Sequence, residues 1–203
     1  MHTRGGVITA VALVLSVGGG VWYLGHASVL RGEPEGAASA TEVTDAAPGF
    51  VTATSSAPAA AGPLAPPREV PAGMREYRNT TYRFSLFYPS DLSVKEYDEG
   101  GGAQTITFQN PATIKGFQIF IVPYSDSQIS QARFRADAPS GTMQSPQPLS
   151  IDGALATMFI GSNIHIGPTR EVWFIHGGYL FESTAPQSLD NWLGAIMTTW
   201  AWL

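Results

Sequence analysis

Between Gly5 and Leu30 this chain carries no Asp, Glu, Lys or Arg, and from Val7 to Leu24 almost every residue is apolar or small. Such a run has few homes. A helix of about 24 residues spans about 36 Å, enough to cross a hydrocarbon core of about 30 Å with some tilt. Gly18, Gly19 and Gly20 lower its helix propensity. Trp22 and Tyr23 stand at the far end, where aromatic rings favour the headgroup level. Arg4 flanks the near side, and Arg31, Glu33 and Glu35 follow on the far side. The positive-inside rule then puts residues 1–6 in the cytoplasm and the bulk of the chain outside it. Residues 7–30 are read as a transmembrane signal-anchor in the lipid bilayer, with a periplasmic or extracellular C-terminal domain. A cleaved signal peptide is the alternative, since Gly25-His26-Ala27 is a small-x-small site. The apolar run is longer than an h-region of about 7–15 residues, which favours the anchor. Ala12, Ser16 and Gly20 recur every fourth residue and form one small-residue stripe on a helix. That stripe is the candidate contact for a homodimer through the membrane helix. Gly20→Ile is expected to lower self-association in a membrane assay.

The rest of the composition narrows the partners. The 203 residues carry a formal net charge of -5 and no dense Lys/Arg cluster. Nucleic acid is excluded as a partner, because phosphate neutralisation needs a concentrated basic patch. Docking on anionic lipid through a polybasic stretch is excluded on the same ground. The chain has no cysteine, which removes disulfides, thiolate metal sites and Cys nucleophiles together. Residues 31–73 are rich in Pro, Ala, Ser and Thr, and Phe50, Val51 and Leu64 are almost the only large apolar side chains in their middle. Such a stretch buries too little surface to offset its ordering entropy and is expected to be a disordered linker. About 40 flexible residues reach about 35 Å, and the prolines extend that. The linker would hold a domain off the membrane.

Residues 74–203 carry nearly all the aromatic side chains and are read as one domain, large enough to fold alone. Tyr82, Phe84, Leu86 and Tyr88 alternate with Arg83, Ser85 and Phe87 and predict a strand that Pro89 stops. Leu92–Tyr97 is its expected partner across the Pro89-Ser90-Asp91 turn. Thr105–Gln109 and Phe117–Ile121 predict two more strands, and Ser127 is expected to cap a short helix over Gln128–Ala136. Asp152-Gly153 suits a type I′ turn between Leu149–Ile151 and Ala154–Ile160. Gly177-Gly178 suits another between Arg170–His176 and Tyr179–Thr184. In that second hairpin His176 opposes Tyr179, Phe174 opposes Phe181 and Val172 opposes Ser183 on one face. Trp173 opposes Glu182 and Ile175 opposes Leu180 on the other. Both faces are largely apolar, so both should be covered. Ser188 is expected to cap an amphipathic helix whose stripe is Leu189, Trp192, Leu193, Ile196, Met197 and Trp200. Trp192→Ala in that stripe is expected to cost about 3–5 kcal/mol.

The order of these pieces resembles a known family. Tyr77-Arg78-Asn79 leads into Tyr82-Arg83-Phe84-Ser85-Leu86-Phe87-Tyr88-Pro89. Ile151-Asp152-Gly153, Glu171-Val172-Trp173-Phe174 and a terminal helix after Ala185-Pro186 follow. Tyr77 to Leu203 is thereby similar to the PsbP-like α-β-α sandwiches, which include membrane-anchored bacterial members. A Trp often follows the Tyr-Pro element in that family, and Leu92 stands in that neighbourhood here. The resemblance implies an α+β fold, an antiparallel sheet covered by helices on both faces. It also implies a binding or assembly role without catalysis. No functional residue and no metal ion carry over.

Chemistry-bearing residues are few. The histidines are His2, His26, His165 and His176, with no H-x-x-x-H or H-E-x-x-H spacing, so no metal and no cofactor is expected. His176, facing Tyr179 beside a turn, is the better ligand-binding candidate of the two in the domain. Glu171 and Glu182 share the other hairpin face, offset diagonally by about 7–8 Å. Carboxylates so placed can do acid–base work on a sugar. The plainer alternative pairs one Glu with Arg170 or leaves it solvated at the sheet margin. No nucleophile elbow, phosphate loop or dinucleotide fingerprint occurs. Three readings follow. The first is a membrane-anchored, extracytoplasmic, non-catalytic binding or assembly module with an unknown envelope protein as partner. The second is a cell-envelope glycan hydrolase using Glu171 and Glu182. The third is a self-associating structural envelope protein.

Overall fold

The structure, a computed structural model, describes residues 46–52, 65–113 and 115–203. The membrane span read over residues 7–30, with Ala12, Ser16 and Gly20, lies outside these residues, as do His2 and His26. Among the described residues no helix is long and apolar enough to cross a membrane.

The strands are β1 (Met74–Asn79), β2 (Phe84–Pro89), β3 (Ser93–Gly100), β4 (Ala103–Gln109), β5 (Gly116–Pro123), β6 (Gln144–Ile151), β7 (Ala154–Asn163), β8 (Gly167–His176), β9 (Tyr179–Pro186) and β10 (Ala201–Trp202). The helices are α1 (Gln131–Asp137) and α2 (Asp190–Met197), with a 3₁₀ turn at Gln187–Leu189. One antiparallel sheet of seven strands runs β3-β4-β5-β9-β8-β7-β6, and a second of three strands runs β1-β2-β10.

This overturns the expected α+β sandwich of one sheet with helices on both faces. The fold is mostly β, two sheets with only two short helices, of seven and eight residues. The reason lies in β2. Its residues Phe84 to Tyr88 are all buried, so both faces of the strand are covered. Its two edges are taken by β1 and by the C-terminal β10, with Tyr77 opposite Leu86 and Trp202 opposite Phe84. No edge remains for the segment after Pro89. Leu92 turns inward, and β3 pairs with β4 instead of β2, Val94 opposite Phe108. The second sheet thus does the covering that helices were expected to do.

The core between the sheets follows strand alternation. Phe108 of β4, Phe117, Ile119 and Ile121 of β5, Val172 and Phe174 of β8, and Phe181 of β9 pack with Phe84 and Leu86 of the small sheet. Phe174 and Phe181 are directly opposed and stack at 5.1 Å. Each such fully buried side chain contributes about 1.5–3 kcal/mol. Leu193, Ile196 and Met197 of α2 close the same core. The helix is shorter than its stripe suggested. It ends at Met197, and Trp200 sits in the turn that follows, still 4% exposed. Ser188 lies within the 3₁₀ turn and caps nothing; the residue before α2 is Leu189, without a side-chain capping bond.

The opposite face of the large sheet has its own cluster, Phe159, Trp173 and Leu180 under Ile129, Phe134 and Ala47. The cover is α1, capped by Ser130 rather than Ser127, together with residues 46–52 from the stretch read as linker. Both hairpins form as their dipeptides require. Asp152 and Gly153 have φ of 44° and 84°, and Gly177 and Gly178 have 58° and 84°, the positive values of type I′ turns.

Candidate functional site

The β8–β9 hairpin places both pairs of expected site residues, and it separates them. Residue alternation sends Glu171 and Glu182 to the α1 side, and the register sets Glu171 opposite Thr184 and Trp173 opposite Glu182. His176 and Tyr179, directly opposed beside the turn, belong to the other face. The four residues therefore form two sites.

The carboxyl site is buried, with Glu171 8% and Glu182 5% exposed. Glu171 Oε2 accepts hydrogen bonds from Trp173 Nε1 at 3.1 Å and Thr184 Oγ1 at 2.7 Å. Burial pushes its carboxyl above the ordinary range, and these hydrogen bonds pull the other way. The backbone makes room for it at Gly161 of β7. A Cβ there would stand 2.9 Å from Thr169 Oγ1 and 3.0 Å from Glu171 Cγ. Glu182 has less support, and its Oε1 is buried without a hydrogen-bond partner. Burial lifts its carboxyl well above the usual value, and the negative charge of Asp137 nearby lifts it further. Arg133 opposes the lift; it forms an i,i+4 ion pair with Asp137 on α1, Nη2 to Oδ1 at 2.7 Å.

Neither plain alternative for these glutamates holds. Arg170 pairs with Asp190 at 2.6 Å instead of with a Glu, and neither carboxyl is solvated. Their chemical capacity is limited too. Carboxyls buried this far cannot meet a sugar ring unless the structure around them opens.

The imidazole of His176 stacks on the indole of Trp202 at 3.7 Å and 10°. Burial lowers its pKa, and the charge of Asp152 partly offsets that. Asp152 Oδ2 also accepts from the Trp202 backbone N–H at 2.8 Å, tying the first hairpin turn to the last strand. Tyr179 meets Tyr82 edge-to-face at 4.9 Å. The four rings form an aromatic corner in which each is partly exposed. His165 lies exposed in the β7–β8 turn, far in register from His176. Among the described residues no group of three or more His, Cys, Asp or Glu side chains is placed to hold a metal ion.

Sequence reasoning missed Asp137 and Arg133, Gly161 and Trp202. Only the first pair left a signal, an Arg and an Asp four apart on a helix with a thin apolar stripe. Nothing local links Trp202 to His176.

Comparison with known proteins adds shape only. No family model and no curated protein matches the chain. The chain is similar to the solution structure of cyanobacterial PsbP (CyanoP) from Synechocystis sp. PCC 6803, with 14% sequence identity and a TM-score of 0.49, over 70% of this chain and 100% of that one. That likeness brings no site residue, ligand or activity with it.

Proposed function

We propose that this chain is a membrane-anchored, extracytoplasmic module that binds or assembles with an envelope protein and catalyses nothing. The uncharged run over residues 7–30 supports the anchor and the export. The observation that carries the non-catalytic part is the burial of Glu171 and Glu182, 8% and 5% exposed, on the face of the sheet that α1 covers. The glycan-hydrolase reading needs both carboxyls open to a cleft and loses its ground there. Self-association by sheet extension is disfavoured at both edges of the large sheet. β3 carries Lys95, Glu96, Asp98 and Glu99, and β6 carries Pro146 and Pro148 with an irregular register between Gln144 and Gln147.

Proximity labelling in the native membrane tests the reading. The full chain, with the labelling enzyme at its C-terminus, is expected to tag a small reproducible set of envelope proteins. A control carrying only residues 1–73 should not tag that set. Equal tagging by the control refutes a binding role for the domain, and tagging of cytosolic proteins refutes the export.

A further inference from the structure

Residues Ala46–Thr52 lie on the domain as a bound peptide would. Ala46 forms an antiparallel bridge with Ser130, and Ala47 N–H donates to Ile129 O at 2.9 Å. Val51 N–H donates to Thr157 Oγ1 at 3.1 Å, and Gln128 Nε2 donates to Thr52 Oγ1 at 2.8 Å. Thr157 is 1% exposed, so its hydroxyl depends on whatever backbone occupies that place. Between these bonds Phe50 enters a box of three rings. It stacks on Trp173 at 5.6 Å and meets Phe134 and Phe159 edge-on at 5.6 and 5.8 Å. Gly49 is at φ +94°, and a Cβ on it would stand 2.7 Å from Met143 Sδ and 3.3 Å from Pro146 Cγ. The backbone conformation strains any side chain there, and the Met143 thioether would have to move aside. A depression of about 500 Å³ lies beside the peptide, lined by Pro48 and Gly49 together with Phe134, Arg135, Met143 and Pro146.

Backbone hydrogen bonds, one aromatic pocket and one position whose positive φ favours glycine are elements by which a domain recognises an extended segment. We propose that this groove is a peptide-binding site, that Ala46–Thr52 is its resident occupant, and that a partner's extended segment with one aromatic residue after a Pro-Gly turn binds by displacing it. The proposal rests on the binding-module reading and names the chemistry of the partner. The occupant belongs to neither sheet, so it can leave without breaking one. Because the occupant is part of the same chain, it competes intramolecularly, and an incoming peptide must win that competition.

The probe is a synthetic peptide of residues 44–54 carrying 4-fluorophenylalanine in place of Phe50, followed by ¹⁹F NMR. It is titrated into the full chain in detergent, as parent and as Phe50→Ala, which empties the aromatic box. Saturable binding is expected, about ten-fold or more tighter to Phe50→Ala than to the parent, because the parent's own segment competes. The same peptide with Gly49→Ala is expected to bind at least about ten-fold more weakly. No binding to a cooperatively melting Phe50→Ala chain overturns the proposal, and equal affinity for both chains overturns the displacement. Should Phe50→Ala not melt cooperatively, excess peptide on the parent chain decides. A shifted bound resonance that Phe134→Ala abolishes supports the site, and its absence sinks it. Failure here with the labelling result intact puts the envelope partner on another surface and leaves the binding reading standing.

Discussion

Two tryptophans that share one helical stripe in the sequence should respond very differently to truncation. Trp200 lies between the sheets. Its ring stacks on Phe84 at 4.2 Å and 6° and meets Phe174, Phe181 and Trp202 edge-on at 5.2, 5.7 and 5.5 Å. Removing a buried aromatic side chain costs about 3–5 kcal/mol. Each well-placed aromatic pair is worth about 0.5–1.5 kcal/mol beyond its area, so four contacts put Trp200→Ala at about 5 kcal/mol. Trp192 is only half-buried, with one edge contact to Phe117 at 5.8 Å and the Lys115 ammonium 5.2 Å from its centroid. Its truncation should cost about 1–2 kcal/mol, less than the helical pattern alone suggests. Urea unfolding of the full chain followed by far-ultraviolet circular dichroism reads the difference. With slopes of about 1–3 kcal/mol/M, a gap of about 3 kcal/mol separates the two midpoints by about 1 M or more. Should Trp192→Ala prove as damaging as Trp200→Ala, the two-sheet core described here is wrong.

Other outcomes follow from the buried titratable groups and from Gly161. The raised carboxyl of Glu182 keeps a proton in the folded state that the unfolded chain releases, so its contribution is complete below about pH 4.5 and is lost as pH rises through the raised value. Each unit of lift is worth about 1.4 kcal/mol, and Glu182→Gln should melt higher than the parent at about pH 8 and show a flatter stability profile from about pH 5 upward. An unchanged slope would remove Glu182 as its source. His176 has the opposite sign. Its lowered pKa favours the neutral ring, so its contribution is complete above about pH 6.5 and declines as pH falls below that. His176→Phe, which retains a ring over Trp202, should abolish that decline in a pH series of melting curves. Gly161→Ala would force its new methyl against Thr169 Oγ1 and Glu171 Cγ, at 2.9 and 3.0 Å. A loss of about 1–3 kcal/mol is expected, with altered Trp173 fluorescence as the Glu171 carboxyl moves, and a neutral result would mean the pocket relaxes freely.

Much of the large sheet is legible residue by residue. Gly177-Gly178 and Asp152-Gly153 supply positive φ where a two-residue turn needs it, and alternation then dictates which residues oppose one another. The pairings of His176 with Tyr179, Phe174 with Phe181 and Trp173 with Glu182 all form. The shared face of Glu171 and Glu182 follows from the same register. Their environment does not, because it depends on α1 arriving from more than thirty residues upstream of Glu171.

What local pattern settles is therefore turn position, strand register and the need for cover on both faces of the β8–β9 hairpin, since each is set by backbone conformation and by the two-residue period of side chains. What covers those faces was decided by contacts remote in the chain. Trp202 pairs with Phe84, and Val51 reaches Thr157 across 106 positions. The Phe50-Val51 pair was visible as two apolar residues adrift in a polar stretch, but only three converging rings made Phe50 a plug. Burial is a property of neighbours, and no residue carries its neighbours in its own position along the chain.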